Sequence, residues 1–278
     1  MKLITIFLLV GMLAVSGWAK EEVTYSPELL KKAESGDMDA QIKLGRCYYL
    51  ALGVTQDRKE SVKWCLRAAE QGNATAQHSL GRCYLLGQGV AQDYKESVKW
   101  WTKAAEQGFV SAQHDLGNCY YNGDGVSKDY EEAVKWWKMA AGKDYAASQS
   151  NLGDCYFYGT GVTKDDKEAV KWWKMAAEKG DTNAQRNLGL CYYKGTGVEK
   201  DEKKSVKWLM ESTVVPYSSE SVKKAESGDA LAQFNLGKCY YFGLGVAKNE
   251  QEAVNWYTKA AEQGFAPAKE ALEKLKPK

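Results

Sequence analysis

Residues 72–107 read GNATAQHSLGRCYLLGQGVAQDYKESVKWWTKAAEQ, and this stretch decides the fold because the chain repeats it. Its Leu-Gly pair recurs six times along the 278 residues, at Leu44-Gly45, Leu80-Gly81, Leu116-Gly117, Leu152-Gly153, Leu188-Gly189 and Leu236-Gly237. The first four distances between successive pairs are 36 residues each, and the last distance is 48 residues, which is 36 plus 12. A fixed period of this length predicts an array of repeated units rather than one or two ordinary domains.

Each unit encodes two helices. In the first unit, apolar residues follow i, i+4, i+7 and i+8 spacing, which is one stripe of a helix, at Ala40, Leu44, Cys47 and Tyr48. The second helix carries a similar stripe and ends at a glycine such as Gly72. Because one pair cannot bury its stripes alone, successive pairs are expected to stack as an α-solenoid.

A Gly-x-Gly-Val loop connects the two helices of most units, as at residues 87–90. Glycine suits such a loop because it adopts positive φ without a Cβ clash. The first unit has Ala51 in place of the first glycine, which predicts a different turn there. An Asp-x-x-Glu sequence, as at Asp93 and Glu96, then predicts a capping box at the start of the second helix. In the fifth unit Asp201 is followed by Lys204, so half of that box is expected to be missing.

The repeat as a whole resembles the Sel1-like repeat family, a relative of the tetratricopeptide repeats. The resemblance rests on the pattern A-x-x-x-LG-x-x-Y-x-x-G-x-GV-x-x-D-x-x-x-A-x-x-W-x-x-x-AA-x-x-G and covers six copies. It implies an all-α, right-handed α-solenoid of six helix pairs that acts as a protein-binding scaffold. In that family the first helices line the concave face where partners bind, and no catalytic residue is shared.

The chain begins with the features of a signal peptide. A short positive start precedes an apolar run at residues 3–15, and small residues follow it up to Ala19. The run is short for a membrane span, which needs about 20 apolar residues. We therefore expect export to the periplasm or the exterior and no membrane span after cleavage; an uncleaved anchor is the alternative. The predicted segments are a signal peptide at 1–19, a capping helix at 20–35, repeats one to five at 36–213, an inserted helix at 214–227, repeat six at 228–263 and a polar cap helix at 264–278.

The inserted segment copies the start of the array. Residues 215–229, VPYSSESVKKAESGD, match residues 23–37, VTYSPELLKKAESGD, at 11 of 15 positions. Pro216 is expected to shorten the second helix of the fifth unit, because proline lacks an N–H and clashes inside a helix. A new short helix is then predicted to begin near Ser218–Ser219. The insertion is interpreted either as a hinge between 20–213 and 214–278 or as a tolerated surface insertion.

Charge and cysteine content exclude several classes of protein. With 38 basic and 36 acidic residues the net charge is +2, which argues against a nucleic-acid or anionic-membrane surface. Six of the seven cysteines share one position on the buried stripe, and equivalent residues of stacked helices lie about 8–10 Å apart, beyond disulfide reach. We expect buried free thiols; Cys47–Cys65 is the one pair available within a unit. No Cys-x-x-Cys or Cys/His cluster supports zinc, and no metal or cofactor is expected.

Two aromatic positions recur in the second helices. A tryptophan is present in all six units, and we expect it at the edge of the stripe, against the neighbouring unit. The next residue varies and is predicted to lie in the core: Cys65, Trp101, Trp137, Trp173, Leu209 and Tyr257. The alternative is an aromatic row that binds peptide or sugar.

Two positions of the first helix differ from unit to unit and are predicted to point away from the stripe. One of them holds both histidines of the chain. Such variation is typical of a ligand-reading surface and equally of an unconstrained one, and the resemblance favours the former. The candidate partner-binding residues at these positions are Ile42, Arg46, His78, Arg82, His114, Asn118, Asp154, Arg186, Phe234 and Lys238.

These patterns favour an exported, non-enzymatic scaffold that binds protein or peptide along its groove. The rival is β-lactam or peptidoglycan binding or hydrolysis, which has been linked to some cysteine-rich relatives of the resembled family. That chemistry needs Ser-x-x-Lys with Ser-Asp-Asn and Lys-Thr-Gly elements, whereas the chain has only residues 221–224, SVKK, which we interpret as chance. The sequence names neither the partner nor an oligomeric state.

Overall fold

The chain folds into helices throughout the part that the structure, a computed structural model, describes: residues 23–212, 217–243 and 245–275. A short helix α1 (Pro27–Glu34) comes first, α12 (Ser219–Glu226) lies before the last pair, and α15 (Ala266–Leu275) ends the described chain. The six pairs are α2 (Met38–Leu50) with α3 (Arg58–Glu70), α4 (Ala74–Leu86) with α5 (Tyr94–Glu106), α6 (Val110–Asn122) with α7 (Tyr130–Ala141), α8 (Ala146–Tyr158) with α9 (Asp166–Glu178), α10 (Thr182–Lys194) with α11 (Glu202–Glu211), and α13 (Ala230–Phe242) with α14 (Glu250–Glu262).

This order confirms the all-α class, the six pairs and the flanking helices. None of the helices in the described ranges has the length and apolar character needed to cross a membrane. The predicted signal peptide lies outside the described residues. The helices form two compact units, one reaching Ala112 and including Asp124–Val126, the other comprising Gln113–Gly123 and the chain from Ser127 onward. Within each of the two compact units, the first helix of a pair packs on the second helix of its own pair and on the second helix of the preceding pair, as in an α-solenoid.

In five of the six Leu-Gly pairs the glycine makes room for a large side chain from the partner helix, whereas Gly45 faces the backbone of its partner helix. A Cβ added to Gly81 would lie 2.5 Å from the indole of Trp101, and one on Gly237 would lie 2.6 Å from the ring of Tyr257. This confirms that the varied position lies in the core: it is buried in five units and half-buried at Cys65. The constant tryptophan is itself buried in three units and half-buried in three, which is more enclosed than the predicted edge position.

A buried glutamine on the first helix joins consecutive pairs, a role that the sequence analysis did not predict. Its Nε2 donates to a carbonyl in the last turn of the preceding helix, where that oxygen lacks an i+4 donor and otherwise accepts a turn bond from the N–H three residues on. The bonds are Gln41 to Ala33 at 3.1 Å, Gln77 to Ala69 at 3.0 Å, Gln149 to Ala141 at 3.2 Å, Gln185 to Ala177 at 3.2 Å and Gln233 to Ala225 at 3.0 Å. Each bond sets the position of a first helix on the helix before it.

The aspartate N-caps of the second helices are confirmed, but the capping box is wrong. Asp93 Oδ1 accepts from the N–H groups of Lys95 and Glu96, at 2.9 and 3.0 Å. A box also needs the backbone N–H of Asp93, which donates instead to the carbonyl of Tyr84 on the first helix. The Glu96 carboxylate therefore pairs with Lys99, three residues on, at 2.9 Å. In the fifth unit Asp201 both caps the helix and pairs with Lys204.

The turn after α2 also differs from its prediction. Ala51 has φ 59° and ψ 41°, the same left-handed conformation as Gly87 with φ 64° and ψ 34°. The expectation of a different turn is therefore wrong. The closing bond from the cap N–H to the carbonyl of the first-helix cysteine is formed in both units, and it holds the alanine in a conformation that costs an L-residue roughly 1–2 kcal/mol.

Replacing this alanine should stabilise the protein. We expect Ala51→Gly to raise the free energy of unfolding by about 0.5–1 kcal/mol, because relief of the left-handed strain exceeds the entropy that glycine loses on folding. Urea denaturation followed by tryptophan fluorescence measures the change. Gly87→Ala is the matched reverse substitution and should lower stability by a similar amount; equal stabilities of both variants and the wild type would contradict the assignment.

None of the seven cysteines, all of which the structure describes, forms a disulfide, Cys47 and Cys65 included; six are buried and Cys65 is half-buried. Burial raises the pKa of the Cys83 thiol to about 11 and that of Cys155 to about 12. These thiols act as small apolar core residues rather than as nucleophiles.

Stability should fall in alkaline solution. The folded-state pKa of a buried thiol lies above the ordinary value of 9.0, so the folded chain keeps protons that the unfolded chain releases. The contribution of such a thiol is complete below pH 9 and is lost as the pH rises towards 11 for Cys83 and towards 12 for Cys155. We expect a loss of about 1 kcal/mol for each of these two thiols between pH 8.5 and 10. Urea midpoints at several pH values test this: Cys155→Ala should reduce the slope, and an unchanged slope would refute the explanation.

The regular helix pattern is interrupted at the insertion. Helix α11 has 10 residues where α9 has 13, and α12 begins at Ser219 with Ser218 as its N-cap, which confirms the shortened helix and the new start. Pro216 lies outside the described residues. Contacts connect the two sides, since Lys238 Nζ donates to the carbonyls of Leu209 and Ser212, and α15 packs on α11. The hinge stays a prediction, and these contacts would have to break for it to open.

Candidate functional site

The varied positions of the first helices do not all point to solvent, which corrects a sequence-based expectation. Phe234 is fully buried between the rings of Tyr257 and Phe265, at 5.6 and 5.5 Å, and Lys238 is 2% exposed. Ser150 is buried as well. The reason is that a first helix is covered on two sides, by its own partner helix and by the adjoining pair.

In the first compact unit the candidate residues take part in packing. Ile42 packs on the cluster around Val62, and His78 lies between the rings of Trp101 and Phe109, at 6.2 and 5.0 Å. Arg46 and Arg82 are half-buried. Their role in partner binding stays a prediction.

In the second compact unit, polar side chains of α6, α8 and α10 form two neighbouring hydrogen-bonded groups in a row. His114 Nδ1 is 2.9 Å from Ser148 Oγ, and its Nε2 is 3.1 Å from Asn118 Nδ2. Asn151 Nδ2 donates to Asn118 Oδ1 at 3.3 Å. Burial lowers the pKa of His114, so at neutral pH the ring is neutral, and we assign the proton to Nδ1 because Asn118 donates to Nε2.

Asp154 on α8 lies at the next step of the row. Its Oδ1 accepts from Trp173 Nε1 and from Asn187 Nδ2, both at 3.1 Å. Its Oδ2 accepts no hydrogen bond from the described residues and is not enclosed by them. Burial raises the pKa of this carboxyl group, while the hydrogen bond from Trp173 and the charge of half-buried Arg186 lower it. Asp154 is thus a partly desolvated carboxylate with one oxygen available.

A cleft of about 240 Å³ opens beside Asp154. Two of its tyrosines reach solvent: Tyr158 is 73% exposed and Tyr121 is 40% exposed. The lining residues are Asn118, Tyr121, Asn122, Trp137, Asn151, Asp154, Cys155, Tyr158 and Thr160. The arrangement combines amides, a carboxylate and aromatic rings, which are the groups that recognise a polar or cationic side chain and its backbone.

The structure thus brings together three of the sequence-predicted residues, His114, Asn118 and Asp154. Sequence reasoning missed Asn151, Asn187 and the two exposed tyrosines. The missed signal is the spacing of the bonded pairs. Asn118 contacts Asn151 and Asp154 contacts Asn187, and in each pair the second residue follows 33 positions later, which is one repeat minus about one helical turn. Comparison of equivalent positions, 36 residues apart, does not find such pairs.

The Ser-x-x-Lys tetrapeptide caps a helix. Ser221 Oγ accepts from the N–H of Ser218 at 2.9 Å and donates to its carbonyl at 2.9 Å, while Lys224 is exposed. Within the described ranges, no group of three His, Cys, Asp or Glu side chains is arranged to hold a metal ion.

Two-helix units of 36 residues, packed in series with a polar cleft on their first helices, define an α-solenoid of the interaction-repeat class. The chain matches the Sel1 repeat at residues 39–73, 74–109, 110–145, 146–181, 182–209 and 230–265. It belongs to the Sel1 repeat family.

Two solved structures are similar over most of the chain. One is a protective antigen present in uropathogenic Escherichia coli strains, with an SLR fold: it is 39% identical over 87% of this chain, with a TM-score of 0.68, and the match spans 49% of that protein. The other is a Sel1 repeat protein from Oxalobacter formigenes, 34% identical over 84% of this chain and 87% of its own, with a TM-score of 0.64. A comparison with curated proteins found no match. Sel1 repeat proteins are generally non-enzymatic scaffolds that bind other proteins.

Proposed function

We propose that this protein is an exported, non-enzymatic scaffold that binds an extended segment of a partner protein across its first helices. The observation that carries the proposal is the cleft between α6 and α8, where Asn118, Asn151 and Asp154 present polar atoms beside exposed tyrosines. Side-chain amides match the alternating donors and acceptors of an extended backbone. Membership in a family of protein-binding scaffolds supports the same conclusion.

Capture experiments test the partner-binding part. Residues 20–278 with an affinity tag should retain a partner from extracts or culture medium of the source cells, and identification uses mass spectrometry. Asn151→Ala in the cleft should reduce recovery of that partner at least about tenfold, the effect of losing roughly 1.4 kcal/mol. Lys171→Ala, on the exposed face of α9, is the matched control and should leave recovery unchanged. A partner retained equally by both variants would contradict the assigned surface.

Export rests on the layout of residues 1–19. Fractionation of cells that express the full chain should place a shortened product outside the cytoplasm, and deletion of residues 2–19 should keep it inside. A full-length product in the cytoplasm would refute export. For the non-enzymatic part, nitrocefin turnover that Ser221→Ala abolishes would reverse the conclusion.

A further inference from the structure

The carboxylate of Asp154 is arranged to receive a positive charge. Trp173 and Asn187 donate to one oxygen and fix the orientation of the group, Asp154 lines the cleft, and its second oxygen accepts no hydrogen bond from the described residues. A partly desolvated carboxylate interacts with a cation more strongly than an exposed one does. Among the cleft-lining residues none is basic, and the charge of Arg186 acts on the carboxylate from outside the lining.

The walls of the cleft are suited to a flat cation. Tyr121 stands with its ring centroid 5.5 Å from that of Trp137, and Tyr158 extends into solvent at the C-terminal end of α8. Aromatic faces attract cations, and a planar guanidinium stacks on them. The cleft volume of about 240 Å³ is below the range of about 300–1,000 Å³ usual for small-molecule sites, and it fits one long side chain.

We propose that this cleft binds the arginine side chain of an extended partner segment, with the guanidinium on Asp154 Oδ2 and against the rings of Tyr121 and Tyr158. Asn118 and Asn151, on the floor of the same cleft, then contact the backbone that carries the arginine. This inference rests on the proposed function and adds the chemistry of the partner. Arginine is preferred to lysine because its planar fork both pairs with a carboxylate and stacks on aromatic rings.

An NMR titration of residues 20–278 tests the site directly. The reporter is the indole N–H of Trp173, which donates to Asp154 and should shift when the carboxylate is engaged. The probes are N-acetyl-arginine methylamide and the citrulline analogue, which has nearly the same shape and no charge. We expect a saturable shift with a Kd of about 1–10 mM for the arginine probe, and at least about tenfold weaker binding of citrulline.

Three variants make the result specific. Asp154→Asn retains an oxygen acceptor for Trp173 and should weaken the arginine probe at least about tenfold. Tyr158→Ala changes a highly exposed residue and should weaken it a few-fold without loss of folding, which circular dichroism checks. Glu178→Gln, an exposed acid on α9, should have no effect.

Other outcomes overturn the inference. Equal shifts with arginine and citrulline, equal affinity for N-acetyl-lysine methylamide as a third probe, or no shift up to about 20 mM would each exclude an arginine site of this kind. Any of these results leaves the scaffold function to be decided by the capture experiment. Capture of a partner that Asn151→Ala loses would uphold the scaffold even after the arginine site had failed.

Discussion

Gly161→Ala is expected to lower the free energy of unfolding by at least about 3 kcal/mol. Two costs combine at this residue. Its φ of +69° lies in the left-handed region, where an alanine costs roughly 1–2 kcal/mol. A Cβ there would also overlap the carbonyl oxygen of Tyr130, which is backbone at the start of α7 and cannot turn aside. The loop would have to move away from the preceding helix pair, which disrupts the joint between pairs.

Gly159, two residues earlier in the same loop, provides the matched control. Its φ is +73°, but an added Cβ would meet only the Cβ of Lys164, at 3.3 Å. We expect Gly159→Ala to cost about 1 kcal/mol, because alanine already occupies the equivalent position at Ala51. Urea denaturation followed by tryptophan fluorescence compares the variants. Equal losses would show that φ alone sets the cost and that the contact with Tyr130 contributes nothing.

The second large effect is expected at Lys238. We predict that Lys238→Ala lowers the free energy of unfolding by about 3 kcal/mol. The ammonium donates to the carbonyls of Leu209 and Ser212, at 3.1 and 3.0 Å, at the end of the shortened helix α11. Its removal leaves these oxygens without that donor and removes the aliphatic stem from a buried position, and each of the two losses destabilises by about 1–3 kcal/mol.

Three measurements separate these contributions. Lys238→Met keeps most of the apolar stem and should cost less, about 1–2 kcal/mol. Lys223→Ala, an exposed lysine of α12, should change stability by less than about 0.5 kcal/mol. A loss at Lys238→Ala no larger than at Lys223→Ala would contradict the capping role.

The pH dependence gives an independent check. Burial lowers the pKa of Lys238 to about 8, below its ordinary 10.5, so the unfolded chain binds this proton more tightly than the folded chain. The burial penalty is complete below pH 8 and is relieved as the pH rises to 10.5. The wild type should therefore gain up to about 3 kcal/mol relative to Lys238→Met over this range. The comparison with the variant cancels the opposite effect of the buried thiols.

The sequence predicted the architecture because the 36-residue unit occurs six times, and the apolar positions at helical spacing recur in each copy. The stripe of one helix, however, reports only the face turned towards its own partner helix. Phe234 and Lys238 lie on another face, which the adjoining helices cover, so their burial depends on contacts between distant residues. The same reason explains the cleft, where residues 33 positions apart meet.

Two predictions from local sequence patterns were also wrong, because backbone hydrogen bonds outside those patterns decide the geometry. The predicted capping box at Asp93 fails because the carbonyl of Tyr84, on the preceding helix, takes the N–H that the glutamate needs. The turn at Ala51 follows its glycine counterparts because the closing bond to Cys47 is retained, although alanine pays a conformational cost. In both cases a backbone hydrogen bond that the repeats share decides the local geometry.

The bond from Gln233 to Ala225 reproduces, at the duplicated helix, the bond from Gln41 to Ala33 at the start of the array. Helix α12 is therefore a second copy of the opening helix α1, and its Ala225 carbonyl accepts the same hydrogen bond from the repeat that follows. The same bond joins five of the six first helices to the helix before them, including the first helix after the copied start, so these repeats have equivalent ends. Insertion or deletion of whole repeats, together with a copy of the opening helix, can therefore change the length of such a chain while the contacts between neighbouring repeats stay the same.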